Sequence, residues 1–211
     1  MDLYFSPLAC SMATRIALYE AGGHARFIEV DTRAKRLVDG GDFLAINPLG
    51  YVPVIRTDEG ELLTENAAVL QHVAAQFPDA ALAPADGIER SRLQAWLCFI
   101  GTELHKGLFT PLLERKAPEA AKQYAINRYG SRLDYLNTYL KGREFLLDRF
   151  SVADAYLTTV LNWSRATSLD LEQWPAVKTY FDRMRARPAI ARAFAEEGAL
   201  FVQEQARHKA A

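Results

Sequence analysis

The sequence is poor in cysteine and almost neutral, and both properties exclude whole classes of protein. Its 211 residues contain two cysteines, too few for the disulfide framework of a small secreted domain. The 25 lysines and arginines are balanced by 26 aspartates and glutamates, which leaves a formal net charge of -1. No global electrostatic field therefore recruits nucleic acid or an anionic membrane, and we expect neither as a partner.

Long apolar runs and a secretory leader are also missing from the sequence. No uninterrupted apolar stretch approaches the roughly 20 residues that cross a bilayer. The N-terminus lacks the basic region and apolar stretch of a signal peptide. Together with two cysteines that nothing pairs, these absences predict a protein of the reducing cytoplasm.

Residues 1–78 alternate between strand-like and helical patterns. A strand, a helix and a second strand come first, and two short strands around Asp58-Glu59-Gly60 then form a hairpin. A β-α-β unit pairs its strands in parallel and a hairpin pairs them antiparallel, so the order predicts an α/β domain with a mixed sheet. The predicted strands cover residues 1–5, 26–30, 52–57 and 61–64, and the predicted helices cover 14–21 and 66–77.

The second half of the chain has a different pattern. Pro78, Pro84 and Gly87 are separated by small residues, which predicts a linker over residues 79–87. Beyond it the apolar spacing is helical only, so residues 88–211 are predicted to form an all-α domain. The candidate helices cover residues 89–106, 119–141, 152–167, 176–186 and 189–199.

Cys10 is the clearest candidate for chemistry. It lies between the first strand and the first helix, where unpaired N–H groups and the helix dipole favour a thiolate. Residue 13 is alanine, so no Cys-x-x-Cys pair exists and a dithiol cycle within this motif is excluded. The residues alone leave two interpretations, a single reactive thiol or an inert one.

Three further positions each allow a structural and a functional interpretation. Val52-Pro53 is either a harmless strand start or a rigid turn that presents its backbone to a peptide-like ligand. Glu65-Asn66 either begins a helix capped by Thr64 or binds an amine and an anion. His105 matters only if it faces Cys10, and is otherwise a packing residue.

Ser151 and Asp154 have the spacing of a helix-capping box before an apolar helix. In such a box the first side chain bonds a backbone N–H of the first turn, and the second side chain bonds back. We interpret this pair as structural and assign it no catalytic role.

Taken together, these residues resemble the glutathione S-transferases, most closely the bacterial beta class. The similarity runs over nearly the whole chain and implies a thioredoxin-like N-terminal domain, a helical domain that forms the electrophile site, and a homodimer. It also implies that the Val52-Pro53 bond is cis. The matching stretches are residues 6–11, 43–53, 63–65, 102–106 and 150–156.

The resemblance implies glutathione as a co-substrate and no metal. Cys10 and His105 are the implied catalytic residues, both facing the glutathione sulfur. Asn66 stands where the family commonly has serine, and Cys98 stands where beta members often carry asparagine. The implied glutathione contacts are Cys10, Lys35, Val52, Pro53, Glu65, Asn66, Cys98, Thr102, His105 and Lys106.

The implied function is detoxification by conjugation of reduced glutathione to small hydrophobic electrophiles. A cysteine at position 10 adds a mixed disulfide with glutathione. Two alternatives stay open: a glutathione-dependent thiol reductase or peroxidase that uses the same site, and a non-catalytic binding module. Tyr4 and Ser11 are the alternative hydroxyl groups for activating the glutathione thiol.

Overall fold

The structure, a computed structural model, describes residues 1–210 and groups the chain into two compact units. Unit 1 combines Met1–Leu82 with the segment from Pro188 onward, and unit 2 is Ala83–Arg187. The strands are β1 (Asp2–Phe5), β2 (Arg26–Asp31), β3 (Arg36–Leu37), β4 (Val54–Arg56) and β5 (Leu62–Leu63). The helices are α1 (Met12–Glu20), α2 (Asn66–Gln76), α3 (Gly87–Phe99), α4 (Thr110–Leu113), α5 (Glu119–Tyr139), α6 (Val152–Leu161), α7 (Pro175–Arg185) and α8 (Pro188–Ala210).

Unit 1 is built on a mixed five-stranded sheet with the order β3-β2-β1-β4-β5. β1 pairs in parallel with β2 and antiparallel with β4, so the predicted mixed sheet is confirmed. Leu3, Tyr4 and Phe5 are all buried, as expected for a central strand that is covered on both faces. The α/β fold class predicted for this half of the chain is therefore confirmed.

The last helix, α8, belongs to unit 1, whereas the sequence pattern placed all of residues 88–211 in one helical domain. α8 packs on α1 through the buried pair of Arg15 and Glu197, whose side chains lie 2.8 Å apart. Helical periodicity reports that a helix exists but not which surface it covers, so the sequence alone could not make this assignment.

Unit 2 is all-helical, as predicted, and one of its helices changes its hydrogen bonding part-way. After α3, the segment Ile100–Phe109 is π-helical, and the Thr110 N–H bonds the carbonyl of His105, five residues earlier. Apolar spacing predicted a single regular helix over residues 89–106. The change to i→i+5 hydrogen bonding depends on packing, and the spacing of apolar residues in the sequence does not indicate it.

The start of α6 has the predicted capping box. The Ser151 hydroxyl accepts from the Ala153 N–H, and the Asp154 carboxylate accepts from the Ser151 N–H. The predicted helix over 152–167 ends as an α-helix at Leu161 and continues as the 3-10 turn Asn162–Ala166. Within residues 1–210 no helix is long and apolar enough to cross a membrane.

Candidate functional site

The Cys10 turn, residues 6–11, connects β1 to α1. Cys10 is half-buried, and its thiol donates a hydrogen bond to the Val52 carbonyl over 3.2 Å. This bond holds the Cys10 sulfur beside the Val52 carbonyl. The turn therefore places a cysteine, at the start of a helix, directly against the loop that precedes β4.

The loop before β4 has a fixed shape. Its Val52-Pro53 peptide bond is cis, as the resemblance implied. The Asn47 side chain spans the loop, because its amide donates to the Tyr51 carbonyl over 2.8 Å and its oxygen accepts from the Leu49 N–H over 3.2 Å. The sequence analysis assigned Asn47 no role of its own and missed this bracing contact.

Lys35 joins the same loop from the other side. Its ammonium donates to the Gly50 carbonyl over 2.9 Å and lies 5.0 Å from the ring centre of Tyr51. Gly50 has a φ of 65°, and a Cβ there would meet the Lys35 side chain at 2.8 Å. The glycine therefore permits both the turn and the close approach of the ammonium.

The N-terminus of α2 lies next to the Cys10 turn. The Asn66 amide donates to the Cys10 carbonyl over 3.2 Å, and the Asn66 side chain is buried. Glu65, rather than the predicted Thr64, takes the N-cap position, with a φ of 65° and an exposed side chain. Among the described residues no side chain caps this helix, so its first N–H groups have no side-chain acceptor there.

The two alternative hydroxyl groups are both in the interior of unit 1. Tyr4 is 2% exposed, in a cluster with Val30, Phe43 and Val54. Ser11 is fully buried, and its hydroxyl donates to the Ser6 carbonyl over 3.3 Å. Ser6 and Ser11 are both buried, so Cys10 is the accessible polar side chain of the turn.

His105 lies in unit 2 on the π-helical segment. Its Nδ1 is 2.7 Å from the Tyr156 hydroxyl, and its ring packs edge-on against Trp163 at 4.8 Å between ring centres. Burial, and to a smaller extent the charge of the adjacent Lys106, lowers the pKa of His105 from 6.5 to about 4. His105 is therefore a neutral imidazole at neutral pH.

The other predicted residues of unit 2 share this helical run with His105. Cys98 is exposed on α3, and its carbonyl accepts from the Thr102 hydroxyl over 3.0 Å. Lys106 is exposed. Residues 1–210 contain no group of three His, Cys, Asp or Glu side chains placed to hold a metal ion.

Two family models match the chain in order. "Glutathione S-transferase, N-terminal domain" matches residues 9–76, and "Glutathione S-transferase, C-terminal domain" matches residues 94–188. Glutathione S-transferase GstA of Escherichia coli O157:H7 is 42% identical over 200 residues, which cover 94% of this chain and 99% of that protein. The chain belongs to the glutathione S-transferase family.

Solved structures agree with this membership and refine the class. A sphingomonad glutathione S-transferase complexed with glutathione has a TM-score of 0.89 and 40% identity, covering 94% of this chain and 99% of that one. A bacterial beta class transferase of Sphingomonas chungbukensis has a TM-score of 0.89 and 41% identity, with the same coverage of 94% and 99%. The predicted family, fold class and enzyme class are confirmed: the chain is a glutathione transferase with a thioredoxin-like domain and beta-class structural neighbours.

Proposed function

We propose that this transferase binds glutathione on unit 1 and conjugates it to small hydrophobic electrophiles. The observation that carries the proposal is the start of α2, which has no side-chain cap among the described residues and contacts the Cys10 turn through Asn66. An uncapped helix N-terminus binds carboxylates through its backbone N–H groups. Here the Asn66 side chain connects such a helix N-terminus to the turn that contains Cys10.

The chemistry of glutathione fits this arrangement from end to end. Its γ-glutamyl carboxylate suits the N–H groups of α2, and its ammonium suits the exposed Glu65 carboxylate. The Val52 backbone, ahead of buried Pro53, is placed to pair with the cysteinyl backbone, and the Lys35 ammonium with the glycine carboxylate. The amide of Asn66 braces the Cys10 turn, so in this proposal its backbone N–H rather than its side chain meets the ligand.

Two reactions follow from a glutathione sulfur held near Cys10. In conjugation, the glutathione thiol releases its proton to solvent and the thiolate sulfur forms a bond to an electrophilic carbon. In a substitution a leaving group departs from that carbon with the electron pair of its bond, and in an addition a π bond of the electrophile breaks and its carbanion or alkoxide takes up a proton. In exchange, the Cys10 thiolate attacks one sulfur of oxidised glutathione, the old S–S bond breaks, a new one forms to Cys10, and the other glutathione leaves as a thiolate that takes up a proton. The half-buried thiol of Cys10 favours exchange as a second activity, and this exchange is the thiol reductase alternative. The peroxidase alternative is a separate reaction that needs a hydroperoxide as oxidant.

Support from relatives concerns the ligand. The sphingomonad transferase is complexed with glutathione, and it is 40% identical to this chain. The roles of Cys98, Thr102, His105 and Lys106 stay predictions from the family resemblance, as do the homodimer and the electrophile. A reducing cytoplasm suits the proposal, because it supplies reduced glutathione and keeps both cysteines as thiols.

The Glu65→Ala variant tests the proposed γ-glutamyl site. Removing a charge-assisted contact of about 1.5–3 kcal/mol should weaken glutathione binding by about 10- to 100-fold. Isothermal titration calorimetry measures the dissociation constant directly. Glu61→Ala is the matched control, because Glu61 is an equally exposed glutamate four residues earlier.

An unchanged dissociation constant in folded Glu65→Ala would remove Glu65 from the site. No heat of binding from the wild-type chain at millimolar glutathione would instead favour the non-catalytic module. Circular dichroism of both variants separates these outcomes from a loss of fold.

A further inference from the structure

Leu8 has a backbone conformation that side chains avoid. Its φ is 58°, in the left-handed region, where a residue with a Cβ is crowded. Leu8 lies in the Cys10 turn, two residues before the cysteine. A strained residue persists only where surrounding contacts determine its conformation, and such residues cluster at functional sites.

The contact that determines this conformation comes from α8. The Leu8 N–H donates to the carboxylate of Glu197 over 2.7 Å, across 189 residues of sequence. Glu197 is fully buried, and its other oxygen accepts from Arg15 Nε over 2.8 Å. One oxygen of Glu197 thus contacts the turn and the other contacts α1.

A second contact ties the same turn to α8. The Ser6 hydroxyl lies 3.4 Å from a Glu204 oxygen, seven residues beyond Glu197. Both ends of the segment Ser6-Pro7-Leu8 are thus held by carboxylates of one helix. Glu196, by contrast, binds the α1 side chains Arg15 and Tyr19.

We propose that Glu197 is a positioning residue, which fixes the Leu8 backbone and thereby places the Cys10 sulfur for reaction with glutathione. The inference rests on the proposed glutathione site, and it adds to that site a residue that touches neither the ligand nor the sulfur. It also explains why α8 groups with unit 1 in the fold.

Energetic considerations support a role beyond holding α1 to α8. Burial raises the pKa of Glu197 to about 7, although Arg15 and the Leu8 N–H both favour its ionised form. The neighbouring charge of Glu196 raises the pKa in the same direction as burial. A buried ion pair is often no more stabilising than apolar residues of the same size. We therefore attribute the importance of the Arg15–Glu197 pair to the hydrogen bond that Glu197 accepts from the Leu8 backbone.

The test compares Glu197 with Glu196 in otherwise unchanged chains. The quantity measured is the rate at which Cys10 forms a mixed disulfide with oxidised glutathione, divided by its rate with hydroxyethyl disulfide. Hydroxyethyl disulfide lacks the glutamyl and glycyl groups of glutathione. The ratio of the two rates therefore measures how much the binding of these groups accelerates the reaction, because the intrinsic reactivity of the thiol cancels. Peptide mass mapping assigns each product to Cys10 or Cys98 in the same sample.

Glu197→Ala should lower this ratio by about tenfold, whereas Glu196→Ala should leave it within about twofold. Glu197→Gln keeps one oxygen acceptor for the Leu8 N–H and should lie between the wild type and Glu197→Ala. If Glu197→Ala does not fold, Glu197→Gln and Glu196→Gln replace the alanine pair, with an expected loss of about threefold for Glu197→Gln alone.

Equal ratios for the Glu197 and Glu196 variants would overturn the proposed positioning role, since both carboxylates bind Arg15 and only one binds the turn. A wild-type ratio at Cys10 no higher than the ratio at Cys98 would have another meaning. It would reject the glutathione site itself, before any variant is considered.

Discussion

The two units bury polar side chains in different ways. In unit 1, long-range bonds from Val52, Asn66 and Glu197 converge on the Cys10 turn. In unit 2, the buried carboxylate of Asp154 accepts its hydrogen bonds around the start of α6, far along the chain from any cysteine. In our proposal the contacts in unit 1 position a reactive cysteine, whereas those in unit 2 hold the fold.

The Asp154→Ala variant should show the largest effect and should affect stability alone. Asp154 is fully buried and accepts four hydrogen bonds, of 2.8–3.0 Å, so its removal leaves buried donors unpaired. We expect the free energy of unfolding in urea to fall by about 3–5 kcal/mol. The four donors are the N–H groups of Leu146 and Ser151 and the hydroxyl groups of Ser151 and Tyr180.

Asp148→Ala is the control for this loss, because Asp148 is an exposed aspartate of the same unit. The folded Asp154→Ala protein should keep the wild-type ratio of Cys10 reaction rates. If Asp154→Ala lost no more unfolding free energy than Asp148→Ala, the capping box would not have the proposed structural role. A changed ratio of Cys10 reaction rates would contradict the distinction between the two units.

A smaller effect is expected from His105, and it should depend on pH. The unfolded chain takes up a proton on His105 below about pH 6.5, while the folded chain resists it down to about pH 4. The unfolded state therefore binds more protons in this window, and the stabilising contribution of neutral His105 is lost as the pH falls from about 6.5 to about 4. The wild type should lose about 2 kcal/mol from this group between about pH 7 and about pH 5.

The His105→Gln variant isolates this contribution. Glutamine does not titrate, so its unfolding free energy should fall less steeply over the same pH range. His24 is exposed, and His24→Gln is the control that should keep the wild-type slope. Parallel slopes for His105→Gln and the wild type would mean that His105 is not buried in its neutral form.

Much of the fold could be predicted from local patterns, because period and turn chemistry are local. The β-α-β unit, the hairpin around Asp58-Glu59-Gly60 and the capping box at Ser151 are examples. β3 was not predicted, because two residues carry no periodicity. The π-helical segment Ile100–Phe109 was not predicted either, since it follows from packing.

The candidate site was predictable only in part. Cys10 and Glu65 could be found because a helix start is readable in sequence. Tyr4 and Ser11 are alternatives to Cys10, and local sequence patterns did not show that both are buried. Glu197 gave no signal, because a glutamate on a helix ordinarily faces solvent, and its contact with Leu8 spans 189 residues.

The central claim is that unit 1 guides glutathione to Cys10, and the two cysteines of the wild-type chain test it most directly. Cys98 is exposed and Cys10 is half-buried, so accessibility alone favours Cys98. With oxidised glutathione, peptide mass mapping should find the mixed disulfide first at Cys10, whereas hydroxyethyl disulfide should react first at Cys98. Faster reaction of Cys98 with both reagents would contradict the account.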